Sequence, residues 1–111
     1  AAYYKKAEAV RAMIRQEFSD VFSGSSAVSA IVTPTTLSPA FKIGEKTKDP
    51  LSMYLEDIFT VSANVVGIPA ISIPSGAVVR DGIPLPVGFQ IMAPHFREDT
   101  LFNIGKDLEY N

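Results

Sequence analysis

The carboxylate of Asp57 lies in the middle of the most apolar part of this sequence. Asp57 lies within residues 49–76, DPLSMYLEDIFTVSANVVGIPAISIPSG, where most other side chains are aliphatic, aromatic or small. At helical spacing it shares one narrow polar stripe with Thr60 and Asn64. An ionised carboxylate removed from water costs several kcal/mol unless a cation, N–H donors or a wet cavity accompanies it. Asp57 is therefore either a structurally satisfied carboxylate or an anchor for a cationic ligand group such as an ammonium.

The other candidate catalytic groups favour structural interpretations. Residues 23–30, SGSSAVSA, are rich in serine but contain one glycine, whereas an activated serine needs an adjacent base and an oxyanion hole. We interpret this run as a linker. His95, the only histidine, follows a predicted strand and is interpreted as a polar loop residue. Metal-ligand spacing and a glycine-rich phosphate loop are absent from the sequence, and zero cysteines exclude disulfide and thiolate chemistry.

A single central helix is predicted to position the carboxylate. Asp49 is a good N-cap, and Pro50 suits the first helical position because no N–H is needed there. Apolar residues cover most of the circumference from residue 51 to 66, the pattern of a helix buried on nearly all sides. Gly67 ends this helix, and a short apolar strand follows at residues 70–73.

The flanking segments complete an α/β pattern. Residues 3–22 predict an amphipathic helix, residues 30–33 a short strand, and residues 35–48 an irregular crossing segment. Residues 77–86 predict a loop too long for a tight hairpin, and residues 87–92 alternate as a strand.

The last helix is predicted to begin near Arg97 and to turn Leu101, Ile104 and Leu108 inward. The element order is therefore α-β-α-β-β-α. A helix between two strands suggests a right-handed parallel crossover, and the later two strands are expected to pair antiparallel. We predict an α/β fold with a mixed β-sheet and flanking helices.

Composition limits the class of protein. The 111 residues are 47% hydrophobic and 20% charged with a net charge of −2, which is ordinary globular composition. The basic residues are spread along the chain, so nucleic-acid binding by this piece itself is poorly supported, and no apolar run reaches bilayer length. The chain starts without Met and stops inside a helical pattern. We expect residues 1–111 to be a single partial domain of a longer protein, in a cytoplasmic, reducing compartment.

Several motifs carry a family resemblance. Residues 64–76 (NVVGIPAISIPSG) and 85–92 (LPVGFQIM) resemble the C-terminal part of amidase-signature enzymes. Residues 33–36 (TPTT), 39–45 (PAFKIGE) and 49–60 (DPLSMYLEDIFT) are similar to the family of A subunits of glutamyl-tRNA(Gln)/aspartyl-tRNA(Asn) amidotransferases. The resemblance covers nearly the whole chain and implies the C-terminal portion of the amidase-signature fold.

The resemblance implies a carbon–nitrogen ligase that uses glutamine as its amide donor. Its glutaminase subunit frees ammonia from glutamine and passes it to the partner B subunit, where misacylated Glu-tRNA(Gln) is activated with ATP and magnesium and amidated. A small C subunit helps to hold the complex together. The tRNA is bound through the complex, and no cofactor is expected in this chain.

The resemblance also implies a division of the active site. The Ser-Ser-Lys triad of the family is expected upstream, and no residue here matches it, so the catalytic set of this chain is empty and the piece alone should be inactive. Asp57 matches the family aspartate expected to bind the α-ammonium of glutamine. The arginine expected to hold the α-carboxylate lies before residue 1.

Two alternatives remain at this point. One is a different amidase-signature hydrolase acting on a small amide, against which residues 33–60 argue. The other is a non-enzymatic binding domain. If the chain is a piece of the amidase fold, its strand edges should be left unpaired, which predicts self-association of the isolated piece.

Overall fold

The α/β class with flanking helices is confirmed. The computed structural model describes residues 1–110, with only the backbone described at residue 110. The elements in chain order are α1 (Ala2–Phe22), β1 (Ile31–Pro34), α2 (Pro50–Glu56), α3 (Val61–Val66), β2 (Ala70–Arg80), β3 (Ile83–Met92) and α4 (Glu98–Tyr110). The order matches the sequence prediction except that two short helices, α2 and α3, replace the single central helix.

The three strands form a sheet in the order β1-β3-β2. Both pairings are antiparallel, and Met92 of β3 lies between Ile31 of β1 and Ala70 of β2. Strands β1 and β2 run in the same direction, as a crossover requires, but β3 separates them. The expected parallel neighbours are therefore absent from the described residues, where the sheet is antiparallel rather than mixed.

The hairpin between β2 and β3 is tighter than predicted. Residues 77–86 were expected to form a loop, yet both strands continue to a two-residue turn at Asp81 and Gly82. Asp81 has φ 52° and Gly82 has φ 77°. Positive φ at both positions marks a type I′ turn, which matches the natural twist of paired strands.

Two prolines of β3 lie in the segment that was predicted to be a loop. Pro84 and Pro86 lie in β3, which is the central strand. The carbonyl of Gly88 accepts a hydrogen bond from the amide of Thr35 at 3.2 Å, so the backbone polar groups of Gly88 face the β1 side. Pro86 and Pro84 lie two and four residues before Gly88, so their backbone groups face the same side. Beyond residue 34 no strand pairs with that side of β3 within the described residues. The missing proline N–H groups therefore cost no ladder hydrogen bond.

One face of the sheet carries the apolar core, and α4 packs on it. Ile73, Ile91, Ala93 and Leu101 form the buried cluster. Leu101 is buried and Ile104 packs against the cluster, as predicted, but Leu108 is 49% exposed and does not belong to it.

Helix α1 lies along α3 rather than on the sheet. It has no buried residue, and Tyr3 on its predicted apolar face is 90% exposed. Arg15 ties it to the end of α3, because its Nε donates to the carbonyl of Val66 at 3.2 Å. Among the described helices, none combines the length and the apolar character needed to cross a bilayer.

Candidate functional site

The site is centred on a break between α2 and α3. Asp49 caps α2 as predicted, since its Oδ1 accepts a hydrogen bond from the amide of Ser52 at 3.3 Å. The predicted continuous helix over residues 51–66 is wrong at residues 57–60, which form turns. The amides of Asp57 and Thr60 each donate to the carbonyl three residues earlier, at 3.2 and 3.0 Å. This 3₁₀-type bonding ends α2 before α3 begins.

The side chain of Asp57 is exposed, so the prediction that it lies inside an enclosed helix is wrong for these residues. Leu51, Tyr54 and Ile58 around it are 68%, 79% and 50% exposed. The described residues supply one small sheet and no second layer over this part of α2. Within residues 1–110 the Asp57 carboxylate makes no hydrogen bond or ion pair.

The predicted polar stripe is built through main-chain atoms. Thr60 Oγ1 donates to the carbonyl of Asp57 at 3.3 Å, and Asn64 Nδ2 donates to the carbonyl of Thr60 at 3.4 Å. These side chains therefore satisfy the backbone of the turn. Neither side chain donates a hydrogen bond to the Asp57 carboxylate, which therefore stays available to a ligand.

The neighbouring Glu56, rather than Asp57, is the carboxylate that is paired with a cation in this region. Its carboxylate forms an ion pair with Lys46 and accepts a hydrogen bond from Ser38 Oγ at 2.5 Å. The side chains of Lys46 and Glu56 are only 15% and 14% exposed, and Lys46 Nζ lies 4.9 Å from the ring centroid of Phe41. The hydrogen bond from Lys46, followed by that from Ser38, holds the pKa of Glu56 below its usual range.

This ion pair fastens the crossing segment to the end of α2, one residue before Asp57. Periodicity did not reveal it, because Lys46 lies in a segment without regular structure. Two further ion pairs, Arg80 with Glu45 and Lys42 with Asp81, join the same segment to the hairpin turn. Ion pairs therefore attach the crossing segment to the end of α2 and to the hairpin between β2 and β3.

A glutamine of the sheet contacts the turn from below. Gln90 is buried, and its Nε2 donates to the carbonyl of Phe59 at 2.7 Å and to Thr33 Oγ1 at 3.1 Å. The alternation of residues 87–92 placed Gln90 only on the less bulky face of its strand. The missed signal was the position of Gln90 between Phe89 and Ile91 in a strand. A polar side chain that is buried there requires hydrogen-bond partners, which would have suggested a contact with another element.

A small hydroxyl pair lies beside it on the same sheet face. Thr35 Oγ1 and Ser72 Oγ are 2.6 Å apart, across Gly88 of the central strand. A Cβ at Gly88 would lie 2.8 Å from Ser72 Oγ and 3.1 Å from the carbonyl oxygen of Ile73. Glycine is therefore required for this close approach.

The serine run and the histidine lie where linker and loop residues were predicted. Residues 23–30 form bends and turns after α1, and Ser23 Oγ donates to the carbonyl of Ser19 at 2.7 Å. His95 is exposed in the loop after β3. It borders a groove of about 570 Å³ between α1 and the end of α3, whose lining does not include Asp57. Among the described residues, no group of three or more His, Cys, Asp or Glu side chains could hold a metal ion.

Comparison with known proteins identifies the family. The amidase family model matches residues 1–102. The chain belongs to the amidase family.

Curated relatives of this amidase-family chain share one description. It is 52% identical over 98% of its length to the A subunit of glutamyl-tRNA(Gln) amidotransferase from Koribacter versatilis. It is 55% identical over 97% of its length to the A subunit from Clostridium botulinum and 51% identical over 97% to the A subunit from Geobacillus thermodenitrificans. It covers 22%, 21% and 21% of these relatives, respectively, so the chain spans about a fifth of their length.

The Asp57 site of this amidase-family chain presents a single charged hydrogen-bond acceptor. Asp57 is an exposed, unpaired anion on a backbone turn that is hydrogen-bonded to the sheet within the described residues. A carboxylate in such a position can accept charge-assisted hydrogen bonds from an ammonium group.

Proposed function

We propose that this chain is the C-terminal part of the glutaminase subunit of a tRNA-dependent amidotransferase. The observation that carries the proposal is 51–55% identity, over 97–98% of this chain, to proteins described as the A subunit of glutamyl-tRNA(Gln) amidotransferase. The whole protein would hydrolyse glutamine and supply ammonia for converting misacylated Glu-tRNA(Gln) to Gln-tRNA(Gln) in the cytoplasm. Residues 1–111 would form one part of its amidase domain.

We assign the other components of the reaction to parts of the amidotransferase outside this chain. Its partners are the B and C subunits of the amidotransferase. The B subunit receives the ammonia and uses ATP and magnesium, the C subunit supports the complex, and the tRNA is bound by the complex rather than by this piece. The nucleophile and its base lie in the part of the amidase domain outside residues 1–111. The 111-residue chain alone should therefore show no glutaminase activity.

Asp57 is the substrate-binding residue of the proposal, as the group that binds the α-ammonium of glutamine. Three features support this role: the carboxylate is exposed, it has no partner among residues 1–110, and its main chain is fixed by hydrogen bonds from Thr60 and Val61. The free-energy cost of binding an ammonium is small for a carboxylate that is already fixed and has no internal partner, because no existing ion pair has to break.

The test compares glutamine with free ammonia as the nitrogen source in the full-length complex. Asp57→Ala should raise the KM for glutamine about 10- to 100-fold, the loss expected for a hydrogen bond between charged groups. Activity with ammonia should stay unchanged, because ammonia bypasses the glutaminase site. Asp20→Ala, which removes an exposed aspartate from α1, is the matched control and should change neither. Equal losses with both nitrogen sources would refute the anchoring role.

A further inference from the structure

The buried side chain of Gln90 connects the sheet to the turn that carries Asp57. Among the side chains that the structure describes, Gln90 is the one polar group in the buried set, with 4% of its surface exposed. A neutral amide in such a place must be hydrogen-bonded, because an unsatisfied buried polar group is costly. Its partners therefore report what the residue does in the fold.

The amide nitrogen of Gln90 has two hydrogens, and both have an acceptor. One hydrogen bond goes to the carbonyl of Phe59 at 2.7 Å, and the other goes to Thr33 Oγ1 on the neighbouring strand at 3.1 Å. Thr33 Oγ1 in turn donates to the carbonyl of Pro34 at 3.0 Å. The strand side thus fixes the orientation of the amide, and the amide fixes the position of Phe59.

The side-chain hydrogen bonds of Ser62, just after the turn, are longer than the bond from Gln90 to Phe59. Ser62 Oγ also donates to the carbonyl of Phe59, but at a longer 3.5 Å, and its contact with Met92 Sδ is long and weak at 4.0 Å. The apolar side chain of Ile58 within the turn is half exposed and contributes little packing. The bond from Gln90 to Phe59 is therefore the short, buried connection between the central strand and the main chain two residues after Asp57.

We propose that Gln90 is a positioning residue for Asp57, acting through the carbonyl of Phe59 and not by touching substrate. The inference rests on the proposed function, because it assigns Gln90 to the same ammonium-binding site. Removing the amide donors leaves the Phe59 carbonyl, within the described residues, with only the long hydrogen bond from Ser62 Oγ of α3, which does not join it to the sheet. The turn can then shift, and the Asp57 carboxylate no longer lies at a fixed distance from the substrate. Glutamine binding weakens while the chemistry of a bound glutamine is preserved.

The first experiment uses the full-length protein in its complex. Gln90→Met keeps the length of the side chain but removes both donors, and it should raise the KM for glutamine about tenfold with kcat changed less than twofold. Ammonia-dependent activity should be unchanged. Ile91→Val is the matched control: it alters the adjacent residue, which is fully buried on the opposite face of the sheet. This control should lower the melting temperature without changing the KM.

A milder variant tests the same connection if Gln90→Met folds poorly. Thr33→Val has nearly the same shape but lacks the hydroxyl that orients the Gln90 amide, and it should raise the KM for glutamine about two- to threefold, the effect of partly losing one neutral hydrogen bond. An unchanged KM in both Gln90→Met and Thr33→Val would overturn the proposal, as would an equal rise in KM in Ile91→Val.

A double-mutant cycle separates this inference from the proposed function. If Gln90 acts through Asp57, the Asp57→Ala, Gln90→Met double variant should have the KM of Asp57→Ala within about twofold, because coupled residues are not additive. Full multiplication of the two effects would overturn the positioning role and leave the Asp57 role standing. An unchanged KM in Asp57→Ala alone would instead refute the proposed function of Asp57.

Discussion

The exposed surface of this chain predicts its behaviour when it is separated from the rest of its parent protein. Its accessible surface is 8057 Å². A compact monomer of the same mass would expose about 6,000 Å². The excess of about 2,000 Å² on this one chain is more than twice the roughly 800 Å² that each partner buries in a stable protein–protein interface of standard size. The radius of gyration of 16.6 Å exceeds the roughly 13 Å of a compact domain of this length.

We therefore expect residues 1–111, expressed alone, to associate with themselves rather than persist as a folded monomer. The outer edges of β1 and β2 have no strand partner within the described residues, and unpaired edges recruit other strands. Light scattering coupled to size-exclusion chromatography should show a mass that rises with concentration between about 1 and 100 μM, which corresponds to an association free energy of about −5 to −8 kcal/mol. Adding the remainder of the parent protein, expressed separately, should reduce that mass to a one-to-one complex.

Two single substitutions test the edge explanation. Val32→Lys places a charge on β1, where Val32 is 55% exposed, and should reduce self-association. Ile43→Lys adds the same charge to a fully exposed position in the crossing segment and should leave the mass unchanged. A monodisperse, cooperatively unfolding monomer at every concentration would refute the reasoning from surface area.

Two further predictions concern stability in the full-length protein. The lowered pKa of Glu56 means that its pairing with Lys46 stabilises the fold above the unfolded-state pKa of about 4.3, and that this stabilisation is lost as the pH falls through the lower folded-state pKa. Glu56→Gln should therefore reduce the unfolding free energy by about 1 kcal/mol at pH 7, and a deficit that persists unchanged at pH 3 would contradict the ion-pair origin. Gly88→Ala should cost about 1–3 kcal/mol in denaturant unfolding, because the new Cβ presses on the carbonyl of Ile73. Gly105→Ala is its control and should lie within about 1 kcal/mol of wild type, since only a flexible side-chain end must move and alanine favours helix; equal costs for the two would contradict the backbone-clash argument.

The sequence correctly predicted features that depend on a residue and its close neighbours in the chain. Asp49 caps α2 as its type and position indicated, Gly67 ends α3 with φ 80°, and Leu101 of α4 is buried. Each of these depends on a residue and its close neighbours in sequence. The family resemblance was confirmed for the same reason, since it rests on residue identities rather than on packing.

The break between α2 and α3 could not be predicted because a distant residue helps to define it. No proline or glycine interrupts residues 57–60. In a continuous helix the carbonyl of Phe59 would accept a hydrogen bond from the amide of Ala63. In the structure that carbonyl accepts a hydrogen bond from Gln90 of β3 instead. A tertiary hydrogen bond therefore stands where a local one would extend the helix.

The burial of Asp57 was misjudged because apolar periodicity reports how much of a helix avoids water in the complete protein. The pattern does not say which chain segments provide the cover. Tyr54 is 79% exposed although its position fits an enclosed helix. The hairpin was misjudged for a different reason: residues 77–86 were interpreted as one loop, whereas the strands pair up to a two-residue turn at Asp81 and Gly82. The two prolines of β3 are tolerated because β1 ends before it reaches them.

The type I′ turn between β2 and β3 also sets the order in which this sheet can assemble. Its two strands meet across two residues, so their contacts close a short loop with little entropy loss. Strand β1 must instead find β3 from the far side of α2, α3 and β2, as Ile31 does in pairing with Met92. Such distant contacts form slowly. During synthesis β1 is made before β3, so it has no strand partner in this sheet until the hairpin that receives it has been made.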